Sequence, residues 1–338
     1  MKKTTLYVAE ISANHLGDFE RAKNLVRAAI DSGANAVKFQ TYTAETMTLN
    51  LNSGDFRISD SHPLWGGQSL YSLYESAHTP WEWHSELFDI CRQAGVIAFS
   101  SPFDLTAVDF LESIDTQMYK ISSMETSDLR LIERVSWTGK PTIISTGATT
   151  LEEIDEAVET FRSTGNNNLT LLVCTSSYPA EPKDANLWRI GFLRDRYQVK
   201  VGISDHTLGV GVGLAALALG AEVIEKHFTL SRMDAGPDGG FSMEPSEFKT
   251  LVEEGESVRV SIGSGSWQLA EAELESRRIR RSLYITEDVK QGEIITEVNL
   301  RAIRPGFGLS PKHLNDLLGM KFSGDYSRGT PMSLDKAK

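Results

Sequence analysis

Residues 201–227, VGISDHTLGVGVGLAALALGAEVIEKH, decide the fold. Two short apolar runs, Val201–His206 and Val223–His227, each end on a histidine, and a helix-like segment opened by glycines separates them. A buried parallel strand, its crossover and the next strand read this way. Working outward, the unit recurs in Tyr7–Ile11, Ala36–Gln40, Ile97–Ser101, Met118–Ser123, Thr142–Thr146 and Leu169–Thr175. Phe19–Ser32, Trp81–Ala94, Leu105–Ile114, Leu151–Arg162 and Pro245–Ile262 carry apolar residues three and four apart with charges between, as helices on the outside of a barrel should. Eight such runs predict an α/β protein, a closed (β/α)8 TIM barrel, with its chemistry at the carboxyl ends of the strands.

The chain of 338 residues exceeds a barrel of roughly 250 residues by one small module. Ser261-Ile-Gly-Ser-Gly-Ser266 reads as a flexible link, Leu269–Arg281 as a charged helix, and the residues from Ser282 as short strands with turns at Lys290-Gln-Gly292 and Arg304-Pro-Gly306. The expected organisation is a catalytic barrel over 1–262, a linker over 263–281 and a small domain over 282–338, the last near the lower limit for independent folding. A net charge of −12 disfavours nucleic acid as a partner. Cys91 and Cys174 suggest neither a disulfide framework nor a paired metal motif. The opening MKKTTLYVAEIS lacks the apolar stretch of a signal peptide, and the longest apolar segment, Val210 to Ala221, is too short to span a membrane. A cytoplasmic enzyme is expected.

Lys38 and Lys120 lie inside apolar runs, where an unpaired ammonium is expensive to bury. Either each pairs with a carboxylate or both serve an anion site. Ser100-Ser101, Ser122-Ser123, Ser145-Thr146 and Ser204, all at strand ends, favour an anion site able to hold a phosphate and a carboxylate. His206 and His227 end adjacent strands, which would make them neighbours at one rim, with Asp205 and Glu225 close by. Two imidazoles with open positions suit a divalent metal acting as a Lewis acid; a lone histidine is more often a structural hydrogen bonder. Glu10 could handle a proton or partner a lysine. The glycines Gly209, Gly211 and Gly213 could cradle a phosphate or allow close helix packing.

Ala9-Glu10-Ile11 with Asn14-His15, Val37-Lys38-Phe39-Gln40-Thr41, Ser101-Pro102-Phe103, Tyr119-Lys120-Ile121-Ser122-Ser123, Ser145-Thr146-Gly147, Ser204-Asp205-His206-Thr207, Glu225-Lys226-His227-Phe228 and Gly236-Pro237-Asp238 together resemble the sialic acid synthase family, along nearly the whole chain. The terminal piece resembles the antifreeze-protein-like SAF domain that ends these synthases. The resemblance implies condensation of phosphoenolpyruvate with an N-acetylated sugar. It implies phosphoenolpyruvate on Lys38, Ser101, Lys120, Ser123, Ser145, Ser176 and Ser204, and a divalent metal, manganese or magnesium, on His206 and His227. It further implies the sugar on Gln40, Glu125, Tyr178, Asp238 and, from a domain-swapped homodimer partner, Arg304. Ser176 stands where N-acetylneuraminate synthases carry asparagine. Gly239-Gly240-Phe241, expected to form an open apolar wall, and Ile303–Leu309 resemble the pseudaminic acid synthase branch. That branch implies 2,4-diacetamido-2,4,6-trideoxy-L-altrose as substrate, with N-acetylneuraminate or legionaminic acid synthesis as the alternative. A Schiff-base aldolase, with Lys120 or Lys38 as nucleophile, is the rival of another class.

Overall fold

The computed structural model describes residues 5–61, 65–234 and 236–338. It divides into two compact units, Met1–Gly263 and Ser264–Lys338. In the first, β1 (Leu6–Glu10), β2 (Ala36–Thr41), β3 (Ile97–Pro102), β4 (Tyr119–Ile121), β5 (Thr142–Ser145), β6 (Leu169–Cys174), β7 (Lys200–Ser204) and β8 (Val223–His227) close a parallel barrel in chain order, β8 returning to β1. The barrel predicted from the sequence is the one observed, with β4 shorter than its apolar run. Helices α1 (Phe19–Asp31), α2 (Ala44–Met47), α3 (Leu70–Ala77), α4 (His84–Gln93), α5 (Leu105–Ser113), α6 (Leu129–Ser136), α7 (Leu151–Ser163), α8 (Arg189–Tyr197), α9 (Gly211–Ala218) and α10 (Pro245–Ser261) follow the chain. α1 and α4–α9 are barrel crossovers and α10 follows the last strand; α2 and α3 belong to a long excursion between β2 and α4.

Local rules explain the helices. In α7 the Thr150 and Glu153 side chains form a reciprocal capping box, and the buried residues Ile154, Ala157, Val158 and Phe161 recur at spacings of three and four. Asp18 caps α1, whose buried face is Ala22, Leu25, Val26 and Ala29. Gly213 brings α9 against α10: a Cβ there would lie 3.0 Å from Leu251 Cδ1, so this glycine serves helix packing.

Period-two alternation on the strands separates two environments. Inside, Val8, Ala36, Phe99, Met118, Ile143, Leu172 and Val223 form one apolar layer. Outside, Ala9, Val37, Ala98, Ile144, Val173, Ile203 and Ile224 join the core beneath the helices. Two residues beyond the inner layer, towards the carboxyl ends, the same strands place Glu10, Lys38, Ser101, Lys120, Ser145, Cys174 and Glu225. The barrel is thus plugged with hydrocarbon below and polar above.

The second unit holds α11 (Glu271–Arg278), the antiparallel pair β9 (Ser282–Ile285) and β10 (Leu300–Ile303), and α12 (Leu314–Leu317). Its core is Leu283, Ile285, Val289, Ile295, Leu300, Leu317, Phe322 and Met332. Among the described residues no helix is long and apolar enough to cross a membrane.

Gly202 on β7 tests the inner layer, because a Cβ there would sit 2.3 Å from the Val223 carbonyl oxygen and 2.8 Å from Leu172 Cδ2. Gly202→Ala is expected to lower unfolding stability by about 1–3 kcal/mol, the usual cost of overpacking, read as a fall in the thermal midpoint. Gly211→Ala, with nothing within 4 Å of its Cβ, is expected to leave the midpoint unchanged or raise it.

Candidate active site

The polar layer is a network of ions. Lys38 Nζ lies 2.8 Å from Glu10 Oε2 and 3.1 Å from Glu225 Oε1, and Lys120 Nζ lies 3.9 Å from the same Glu225 oxygen. Ser204 Oγ donates to that oxygen at 3.0 Å. Lys120 also donates to the Ile121 carbonyl at 3.2 Å. All four charged side chains are nearly or wholly buried. Burial opposes ionisation of Glu225, but Lys120 and Lys38 outweigh it and hold its carboxyl at about 2. Burial likewise opposes the Lys38 ammonium, yet Glu10 and Glu225 raise its pKa. Lys120 has weaker compensation, so burial, with Lys38 beside it, lowers it to about 8. Burial raises Glu10, with Lys38 working against it. Lys38 is satisfied within the protein; Lys120 is the cation with attraction to spare.

The histidines meet at the same rim, their ring centroids 5.3 Å apart. Burial, reinforced by the neighbouring lysines Lys38, Lys226 and Lys120, pushes His227 far below the ordinary imidazole range, so it is neutral. Burial opposes charge on His206, but the Cys174 thiol 3.9 Å from its Nδ1 raises it; burial opposes ionisation of Cys174 in turn, and His206 brings the thiol to about 7. His206 Nδ1 lies 3.0 Å from the Thr175 carbonyl, which makes Nδ1 the donor and leaves the Nε2 lone pair free.

Behind the imidazoles, Lys226 Nζ and Asp205 Oδ2 pair at 3.0 Å, both side chains 1% exposed. Asp205 Oδ1 also accepts from the Thr207 amide and hydroxyl at 2.9 and 2.7 Å. These groups point to the outer side of β7 and β8 while Ser204, His206, Glu225 and His227 line the cavity. The pair ties together the two strand ends that carry the histidines.

A cavity of about 480 Å³ opens over these groups. Lys38, Gln40, Ser101, Lys120, Ser123, Glu125, Ser145, Tyr178, Ser204, His206, His227 and Asp238 all line it. Glu10 sits beneath, reached through Gln40, whose Nε2 is 3.3 Å from both Glu10 Oε1 and Ser12 Oγ. Asp238, raised by burial, accepts from Ser12 Oγ and from the Ala13 amide at 3.3 Å. Ser122 Oγ donates to Glu125, another carboxyl raised by burial. Ser101 Oγ, Ser145 Oγ, Glu225 Oε2 and His227 Nδ1 are buried in this wall without a hydrogen-bond partner. Buried polar atoms are nearly always satisfied, so four such atoms on one cavity mark the seat of a ligand. Gly147 adds a close approach: its amide donates to Ser123 Oγ at 3.0 Å, and a Cβ there would sit 2.3 Å from Ser176 Oγ.

Two expected residues, Phe241 and Ser176, stand outside the cavity wall, and a third, Arg304, belongs to the second unit. Phe241 is buried behind the rim, its ring 4.9 Å from His227, 5.1 Å from Tyr178 and 6.2 Å from His206; it backs the imidazoles and is not a wall of the cavity. The reason is local: residues 239–241 form a tight turn that faces Phe241 inward. Ser176 packs 3.7 Å from Cys174 Sγ, outside the cavity wall. Arg304 is exposed just beyond β10, in the second unit.

The sequence reading missed two features. Glu225 is the hub of the ion network, and its position two residues before His227 on a strand gives it the same inward face. Leu70, Leu73, Tyr74 and Ala77 of α3, with Met47 and Ile58, form the apolar wall. Their spacing of three, four and seven after the capping residue Ser69 was the available signal.

A closed barrel with buried ammonium groups, neutral imidazole and orphaned hydroxyls at its carboxyl rim defines an enzyme that binds a small anion beside an electrophile. The chain belongs to the NeuB family: that family's model matches residues 25–267, and the SAF domain model matches residues 280–337. It is 42% identical to the pseudaminic acid synthase of Campylobacter jejuni subsp. jejuni serotype O:23/36, over 97% of this chain and 95% of the other. It is 35% identical to the N,N'-diacetyllegionaminic acid synthase of Legionella pneumophila, over 97% and 93%. Among solved structures, an N-acetylneuraminic acid synthetase from Leptospira borgpetersenii in complex with citrate matches with a TM-score of 0.72 and 32% identity, over 81% of this chain and 90% of that one.

Lys226→Met would strand the Asp205 carboxylate in a dry interior, and is expected to cost about 3–5 kcal/mol in chemical denaturation, as for other broken buried pairs. Adding Asp205→Asn removes the stranded charge and should recover most of the loss.

Proposed function

We propose that this protein is a pseudaminic acid synthase, joining phosphoenolpyruvate to 2,4-diacetamido-2,4,6-trideoxy-L-altrose with release of phosphate. One observation carries the reading: two buried lysines, orphaned serine hydroxyls and a neutral histidine converge on one cavity, beside which an apolar wall stands ready for a deoxy sugar. The higher identity to a pseudaminic than to a legionaminic acid synthase supports the choice of sugar.

In this reading Lys120, Lys38, Ser101, Ser123, Ser145 and Ser204 hold the phosphate and carboxylate of phosphoenolpyruvate. Gln40, Glu125, Tyr178 and Asp238 orient the open-chain sugar. C3 of the enol attacks the aldehyde carbon, and water adds at C2. Glu10, whose raised pKa makes it able to keep a proton, takes one from that water and passes it to the alkoxide formed from the aldehyde; the tetrahedral centre then expels phosphate by C–O cleavage, its hydroxyl proton leaving with the phosphate. The imidazole pair fits a divalent cation such as manganese or magnesium. His227 is neutral with an unpartnered Nδ1, and His206 has a fixed tautomer. Among the described residues no group of three or more His, Cys, Asp or Glu is assembled for a metal, so substrate and water would complete the sphere. A cation held there supplies Lewis acidity towards the aldehyde oxygen. Cytoplasmic location and a dimer in which Arg304 of a second copy touches the sugar belong to the same proposal.

The test is phosphate release from phosphoenolpyruvate with a panel of hexoses. Turnover of the trideoxy-altrose, abolished by a chelator and restored by manganese or magnesium, is expected; activity with N-acetylmannosamine alone would overturn the substrate assignment. The lowered Lys120 also suits a Schiff-base nucleophile. Borohydride in the presence of pyruvate should leave the protein unlabelled, and labelling at Lys120 would favour an aldolase.

The pH profile has a defined sign. Free Lys120 loses its charge as pH rises through about 8, so kcat/KM for phosphoenolpyruvate is expected to fall there. A bound anion favours the ammonium, so kcat should persist to higher pH. Arg304→Ala is expected to raise the sugar's KM far more than that of phosphoenolpyruvate.

A further inference from the structure

The excursion between β2 and α4 contains an amphipathic helix whose apolar face has no place in either apolar core of the barrel unit. Leu70, Leu73, Tyr74 and Ala77 lie on one face of α3, and all four line the cavity. None of them belongs to the core beneath the outer helices or to the inner barrel layer. The other face is polar: Tyr71 donates to Glu45, and Ser72 and Ser76 bond back within the helix. Tyr74 meets the Tyr42 ring edge-on at 5.9 Å, and Tyr42 meets Phe103 at 5.1 Å, so the stripe rests on an aromatic base. An apolar helix face turned towards a substrate cavity remains wet until an apolar group covers it.

We propose that this α3 stripe, and not the 239–241 turn, is the specificity-determining surface for the sugar, and that it seats the methyl group at C6. The inference rests on the reading of the protein as a synthase acting on a trideoxy sugar. Such a sugar presents two kinds of methyl. Those of the acetamido groups come with amide N–H and C=O, which would be left unpaired against Leu70, Leu73 and Ala77. The C6 methyl brings no polar atom and asks only for hydrocarbon. In that reading the reacting end of the sugar is held by the strand-end groups Lys120, His206 and His227, which line the same cavity but belong to the barrel and not to the excursion. A hydroxymethyl at C6 would bury its hydroxyl against Leu70, Leu73 and Ala77, which offer it no partner, and this disfavours hydroxylated hexoses.

The test compares two substrates that differ only at C6, methyl against hydroxymethyl, by phosphate release. For Leu73→Asn the ratio of their kcat/KM values, methyl over hydroxymethyl, is expected to fall about ten-fold or more, with the KM for phosphoenolpyruvate moving less than about two-fold. Leu70→Asn should act in the same direction, Leu73→Met should keep the wild-type ratio, and Phe241→Leu should change both sugars by the same factor. An unchanged ratio in both asparagine variants, or a changed ratio in Phe241→Leu alone, overturns the inference. Failure of the wild-type enzyme to use the methyl sugar at all would instead overturn the functional reading on which it rests.

Discussion

A single carboxylate, Glu225, holds two buried ammonium groups inside a barrel sealed beneath by hydrocarbon. Because the layer formed by Val8, Phe99, Ile143 and Leu172 shuts out water from below, charge in the layer above must be balanced by protein or by ligand. Glu10 and Glu225 oppose Lys38 and Lys120, and the balance is uneven: Lys38 has two close carboxylates and Lys120 a distant one. An incoming phosphate or carboxylate therefore finds its attraction at Lys120. The same anion makes ionised Glu10 more costly, which adds to the burial that already raises its pKa. Anion binding thus strengthens the proton affinity of Glu10, the property that a base acting on water requires.

The outer side of the same strand ends obeys a second balance. Asp205 and Lys226 are each next in sequence to a histidine, and alternation sends them to the opposite side. Their pairing joins β7 to β8 at the height of the imidazoles, while Phe241 packs behind the rings. The histidines are thus positioned by an ion pair on the outer side of their strand ends and an aromatic ring packed against them, and neither needs a bound ligand to be ordered. This is preorganisation of a site on rigid elements.

How much of this was legible in the sequence depended on whether local pattern or tertiary packing governed each feature. The strands were readable because burial on both sides makes them continuous apolar runs, and the functional residues stood out because Lys38, Lys120 and His227 interrupt that texture. Glu225 interrupts it too, but its role as partner to two lysines depends on the closure of β8 onto β1 and the approach of β2 and β4 across the barrel, which no local pattern states. Phe241 misled for the opposite reason. An aromatic after two glycines reads as an open wall, whereas the turn rotates it behind the histidines, a matter of backbone geometry at three residues. The glycines at the start of α9 read equally as a phosphate cradle or as a packing surface, and proximity to Leu251 shows Gly213 to be a packing position.

The helix α3 was overlooked although its stripe is regular, because a short helix in a loop resembles no barrel crossover. Its independence from the core has a physical consequence. Residues on the strands are constrained by two layers of packing and by charge balance, so altering them endangers the fold together with the chemistry. Residues on α3 touch the cavity and leave both apolar layers intact, so the identity of the wall can change at small cost to the barrel. The anion site and the imidazoles fix what reaction is possible, and the excursion is where the shape of the second substrate is written.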